Sequence, residues 1–112
     1  DYKTGRVRSR NDIEGKTKNS TGPYKRQLVF YRILLDSYPS FRGRATSGEI
    51  DFIEPEKTGV FKKEKFIISE SEARDLKKLI REVSQRIINL NFWDELCGRG
   101  SCEFCQIRNQ VV

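Results

Sequence analysis

Asp1-Tyr2-Lys3 sets a carboxylate and an ammonium two residues apart. On a β-strand that spacing puts both side chains on one face. Such a carboxylate can hold a hard divalent cation through oxygen. A neighbouring lysine can stabilise charge developing on a phosphate or orient an attacking water. Gln27 and Tyr31 stand four apart, one face of a helix, and can hydrogen-bond a phosphate or stack on nucleic acid. Each pair alone also has an ordinary reading: a surface ion pair, and a polar edge beside a core aromatic. A third group, Cys97-x₄-Cys102-x₂-Cys105, has thiolate ligands at metal-like spacing, compatible with zinc or iron–sulfur. Its plain alternative is a tail with reduced cysteines.

These residues need elements to hold them. Residues 1–5 read as a strand leaving at Thr4-Gly5, and the polar, basic stretch 6–22 reads as one long loop. Pro23 suits the first turn of a helix expected from Tyr24 to Tyr38, with Pro39 ending it. Its apolar residues exceed one stripe, so packing on more than one side is expected. Glu49 to Glu54 alternates Ile50 and Phe52 against Glu49 and Asp51, a half-buried strand stopped by Pro55. Val60 to Ile68 makes a second strand with Phe66 and Ile68 on one face, and the two read as an antiparallel hairpin. Glu49 and Asp51 are expected to be solvated there. Ser69 and Glu72 form a capping box, and Ala73, Leu76, Leu79 or Ile80, Val83, Ile87 and Leu90 keep helical spacing beyond it. Phe92, Trp93 and the Cys-rich tail 97–112 follow.

The chain has 112 residues, 34% charged and 36% hydrophobic, which indicates one globular domain rather than a disordered segment. No apolar run is long enough to span a bilayer, and Asp1 to Arg10 is too polar for a signal peptide. There is no methionine, even at position 1, so the expectation is a piece of a longer protein. Of the net charge of +6, residues 1–26 contribute +5, eight Lys/Arg against three Asp/Glu. The cations there, Arg6, Arg8, Arg10, Lys16, Lys18, Lys25 and Arg26, can form a footprint for a polyanion such as DNA, or a solvated loop. Three clustered cysteines without secretory features argue for a reducing compartment and against a disulfide framework.

A strand ending in Asp1-Tyr2-Lys3-Thr4-Gly5, a basic loop, and a helix opening Tyr24-Lys25-Arg26-Gln27-Leu28-Val29-Phe30-Tyr31 resemble the RecB-like branch of the PD-(D/E)XK nucleases. The likeness runs on through the hairpin, the long helix, the Phe-containing turn and the Cys-rich end. Within that branch the chain is most similar to nuclease domains at the C-terminus of UvrD/Rep-like superfamily 1 DNA helicases, and Ser9 to Thr17 is similar to a stretch of such tails.

The resemblance implies an α/β fold, the C-terminal part of a restriction-endonuclease-like domain: strand–loop–helix, β-hairpin, long helix, Cys-containing tail. It implies a divalent-metal-dependent DNA nuclease, with Asp1 as Mg²⁺ or Mn²⁺ ligand, Lys3 as catalytic lysine, and Gln27 and Tyr31 lining the site. The implied partners are DNA and the helicase domains of the same polypeptide, which alone would use ATP, in the bacterial cytoplasm at the nucleoid. An acidic ligand on a preceding strand, and a Glu or His on a helix before that, are expected upstream of Asp1, so these 112 residues alone are expected to be inactive. Edges left open by missing strands are expected to favour dimerisation. A degenerate, non-catalytic DNA-binding module is the alternative. Some relatives close the domain with a [4Fe–4S] cluster held by one upstream and three C-terminal cysteines. That pattern wants a cysteine near position 111, which is Val here, with Cys97 able to take the missing place.

Overall fold

The computed structural model describes residues 1–91, 95–99 and 101–111. It is a mixed α/β arrangement of three strands and four helices. The described contacts group into two compact units, Asp1–Leu79 and Ile80–Val112. No helix among the described residues is long and apolar enough to cross a membrane.

In the first unit, β1 (Tyr2–Lys3) lies parallel to β2 (Ser47–Phe52), which pairs antiparallel with β3 (Lys63–Ile67). A parallel pair requires a crossover. Helices α1 (Arg10–Glu14) and α2 (Pro23–Asp36) lie within that connection. Alternation in β2 and β3 turns Ile50, Phe52 and Phe66 inward, as expected from period two. They meet Leu28 and Val29 of α2, together with Ile13, Ile68 and Ala73, to form the core. On the outer face Asp51 pairs with Lys63 across the strands at 2.8 Å.

The stretch 6–22 is not a single loop. Ser9 caps α1 by accepting the Asp12 N–H, and Gly15 ends the helix with φ 76°. The Gly15 N–H reaches the Asp12 carbonyl and the Lys16 N–H the Asn11 carbonyl, the paired closure of a Schellman motif. Ile13 is wholly buried and Val7 packs against the core, so two apolar side chains pin this polar segment. Thr17 Oγ1 donates to Asp12 Oδ1 at 2.6 Å and Ser20 Oγ to the Asp12 carbonyl at 2.6 Å, folding the chain back.

Pro23 opens α2 as expected, but the helix ends at Asp36, two residues before Tyr38. The Ser37 and Tyr38 N–H groups turn back to the Leu34 and Leu35 carbonyls and tighten the end. Only one side of α2 is covered: Phe30, Tyr31, Leu34 and Leu35 are 38–46% exposed. The expectation of packing on more than one side does not hold among the described residues. Buried Arg32 donates to the Ile68 carbonyl, and its Nε lies 3.5 Å from Asp36 Oδ2. The Gly43 N–H donates to the other Asp36 oxygen and holds that carboxyl below its ordinary range.

Helix α3 (Glu70–Ile88) begins at the capping box. Ser69 Oγ accepts the Glu72 N–H at 3.1 Å, and Glu72 accepts the Ser69 N–H at 2.7 Å. Ala73 and Leu76 face the core. The second unit takes in the rest of α3, a turn in which Leu90 adopts φ 55°, and α4 (Glu103–Val111). No described residue of that unit is buried. Phe92 and Trp93, expected to follow the long helix, lie outside the described residues.

Candidate active site and cysteine cluster

Register decides which carboxylates can share a site. Lys3 is paired with Phe52 and Tyr2 with Asp51. Asp1 and Lys3 therefore share the inner face with Phe52, towards α2, while Asp51 points from the opposite face. The Asp1 carbonyl accepts the Asp51 N–H, the Lys3 carbonyl accepts the Ile53 N–H, and Glu54 accepts the Gly5 N–H at 2.7 Å. Together these bonds fix the short strand.

On that face the four expected residues come together. Lys3 Nζ lies 2.9 Å from Asp1 Oδ2, and the two side chains are only 15% and 13% exposed. The same ammonium donates to Gln27 Oε1, and Gln27 Nε2 donates to Tyr31 Oη at 2.5 Å. A continuous polar chain thus runs Asp1–Lys3–Gln27–Tyr31. Such an array holds a cation at a fixed point beside a carboxylate, with a phenol at its far end.

Tyr24 also belongs to this site, and sequence reasoning missed it. Its ring lies 4.5 Å from Lys3 Nζ and 5.1 Å from Arg8 Cζ, and stands against Phe52 at 6.4 Å between centroids. Cations over an aromatic face are attracted by its quadrupole. The signal was available, because Tyr24, Gln27 and Tyr31 fall at i, i+3 and i+7, one helix face. Arg6, Arg8 and Tyr24 line an open cleft next to this group, with Thr4, Ser9 and Asp12.

The seven expected DNA-binding cations do not form one free surface. Arg10 pairs with Glu64 at 2.9 Å, donates to the Lys65 carbonyl and lies over the Phe66 ring. Lys25 donates to the Ile67 carbonyl at 2.8 Å, pairs with Glu72 and also faces Phe66. Lys65 and Ile67 point their peptide groups to the open side of β3, because Phe52 bonds Lys62 and Ile68 bonds Thr46 on the paired side. Arg10 and Lys25 therefore cover the open edge of β3. Arg26 donates to the Thr21 carbonyl, and Lys16 bonds Glu14 at 2.6 Å, which draws the Glu14 carboxyl below its ordinary range. Arg6 and Lys18 enter none of the ion pairs among the described residues.

In the second unit Cys97, Cys102 and Cys105 are free thiols whose sulfurs all lie within 4.8 Å of one another. Cys105 Sγ is 3.5 Å from Cys97 Sγ. Cys102 immediately precedes α4 and Cys105 lies in its first turn. The backbone N–H of Cys105, ahead of the neighbouring thiols, lowers the Cys102 pKa to about 7. The three can hold a metal ion.

No protein-family profile, characterised protein or solved structure matches this chain.

Proposed function

We propose that the Asp1–Lys3–Gln27–Tyr31 group is the phosphodiester-cleaving centre of a RecB-like, metal-dependent DNA nuclease domain of restriction-endonuclease-like fold. In this reading it acts beside the ATP-driven helicase domains of the same polypeptide. The observation that carries it is the bond from Lys3 to Gln27, which joins the two motifs of the resemblance across 24 residues. Among the described residues Asp1 is the acidic side chain on that inner face beside Lys3, and a hard dication takes about six oxygens. Asp1 would hold Mg²⁺ or Mn²⁺ through one of them. Water, substrate phosphate and, on the resemblance, an acidic residue on a preceding strand supply the rest. An ion held there would supply Lewis acidity, lowering the pKa of a water and polarising the phosphoryl group. Lys3, held by Asp1, Gln27 and the Tyr24 ring, stabilises charge on the phosphate, and Tyr31 lines the path of the strand. The resemblance also carries a [4Fe–4S] staple at Cys97, Cys102 and Cys105, whose thiolates are equally compatible with Zn²⁺.

A second reading, a degenerate nuclease fold that binds DNA without cutting it, is favoured by one observation. Asp51, a carboxylate of the adjacent strand, faces away and is paired with Lys63. The test is cleavage of single- and double-stranded DNA with Mg²⁺ by the protein in its full natural length. Asp1→Ala and Lys3→Ala should each lower the rate by about 10²–10³-fold. Cleavage undiminished in both variants overturns the nuclease assignment. Tight binding with no cleavage by the unmodified protein selects the second reading.

A further inference from the structure

We infer that Cys97, Cys102 and Cys105 hold one tetrahedral Zn²⁺ ion, supplying three of its four ligands. The site shares no residue with the Asp1–Tyr31 group and does not depend on the nuclease reading.

The first argument is distance. A tetrahedral ion with Zn–S bonds of about 2.3 Å sets its sulfurs about 3.8 Å apart. Here all three sulfurs lie within 4.8 Å of one another, and one pair is at 3.5 Å. Closing them on one ion needs shifts of no more than about an ångström. In a [4Fe–4S] cluster each thiolate binds a different iron, so the ligands sit around the cluster and not within reach of one atom. The arrangement therefore disagrees with the iron–sulfur staple.

The second argument is the donor set. Soft thiolates select zinc over magnesium or calcium. The chain contains no histidine, and among the described residues no fourth metal-ligating group joins the cluster. The three thiolates fill three of the four positions that a tetrahedral Zn²⁺ requires.

The third argument is mechanical. Gly98 turns the chain with φ 70° just after Cys97, and Cys102 and Cys105 stand three apart at the start of α4. One ion would tie that helix to the segment before it. The unit has need of such a tie, because none of its described residues is buried while Leu96, Phe104 and Ile107 are 55–82% exposed. A segment without a core of its own is commonly held by a metal or disulfide.

The test uses the full protein purified without oxygen. Elemental analysis should find one zinc per chain. Replacement by Co²⁺ should give thiolate-to-cobalt charge transfer with the strong visible bands of a tetrahedral ion. Iodoacetamide should leave all three cysteines unmodified until a chelator is added, a readout that needs no variant. Cys102→Ser and Cys105→Ser should each reduce zinc to a small fraction of one per chain. Iron with acid-labile sulfide overturns the inference, as does a metal-free protein with a Cys97–Cys105 disulfide.

Discussion

The Lys3 ammonium donates to the side-chain carbonyl of Gln27, tying a two-residue strand to the second turn of α2. With Asp1 on one side and the Tyr24 ring on another, that ammonium is held from three directions. Gln27 in turn spends its amide N–H on Tyr31, so its loss releases both neighbours.

Gln27→Met keeps the helix and removes both bonds. It should lower stability by about 1–2 kcal/mol, the cost of leaving polar partners unpaired, measured by urea denaturation. Gln27→Glu still accepts from Lys3 and from the Tyr31 hydroxyl, so it should stay near the parent. Equal losses in both would show that the polar chain contributes nothing.

Tyr24 offers its ring, not its hydroxyl, to Lys3 and Arg8. Tyr24→Phe should therefore be close to neutral. Tyr24→Leu should lose about 0.5–1 kcal/mol for each cation, in addition to its packing on Phe52. A loss as large in Tyr24→Phe as in Tyr24→Leu rules this account out.

How much of this was legible in the sequence depends on the kind of signal. The capping box at Ser69 and Glu72 and the alternation around Ile50 and Phe52 are local patterns, and both elements form where they point. The contact between Lys3 and Gln27 came from a resemblance of motifs, not from any local rule. Helix α1 was missed because one buried isoleucine in a polar run has no periodicity to detect. Charge counting likewise gave Arg10 and Lys25 to a polyanion. It cannot see that β3 ends with open carbonyls within their reach.

That division of the cations is testable. If the first unit binds DNA, Arg6→Ala, Arg8→Ala and Lys18→Ala should each weaken binding evenly across sequences. Each should also reduce the slope of log affinity against log salt by about 1. Arg10→Ala and Lys25→Ala should leave that slope unchanged and lower thermal stability instead. A slope lost equally at all five positions would mean that Arg10 and Lys25 leave the strand edge when DNA arrives.

Asp12 links folding to pH. The Thr17 hydroxyl first, then that of Ser9, donates to its carboxylate and lowers its pKa from the ordinary value. A carboxyl depressed on folding contributes stability that is complete above its unfolded pKa, near 4, and lost as pH falls through its folded one. Thr17→Val should raise the Asp12 pKa, read by carboxyl-carbon NMR titration. It should also reduce the loss of stability between neutral and acid pH. An unmoved titration would show that the Thr17 bond does not form in solution.

Gly15 and Gly22 bring two stretches of backbone together at the base of the segment between α1 and α2. Both have positive φ, and a Cβ on Gly15 would lie 2.7 Å from the Gly22 nitrogen. Gly59 also has positive φ, but a Cβ there meets nothing within 4 Å. Gly59→Ala should therefore cost only the left-handed conformation, about 1–2 kcal/mol. Gly15→Ala carries the same term and must also push backbone apart, about 1–3 kcal/mol more. Because Ile13 is anchored two residues earlier, that displacement should also loosen α1. Hydrogen exchange at the Gly15 and Lys16 amides, which close α1, should then accelerate in Gly15→Ala and not in Gly59→Ala. Equal costs at the two glycines would mean that the segment from 15 to 22 does not close on itself as described.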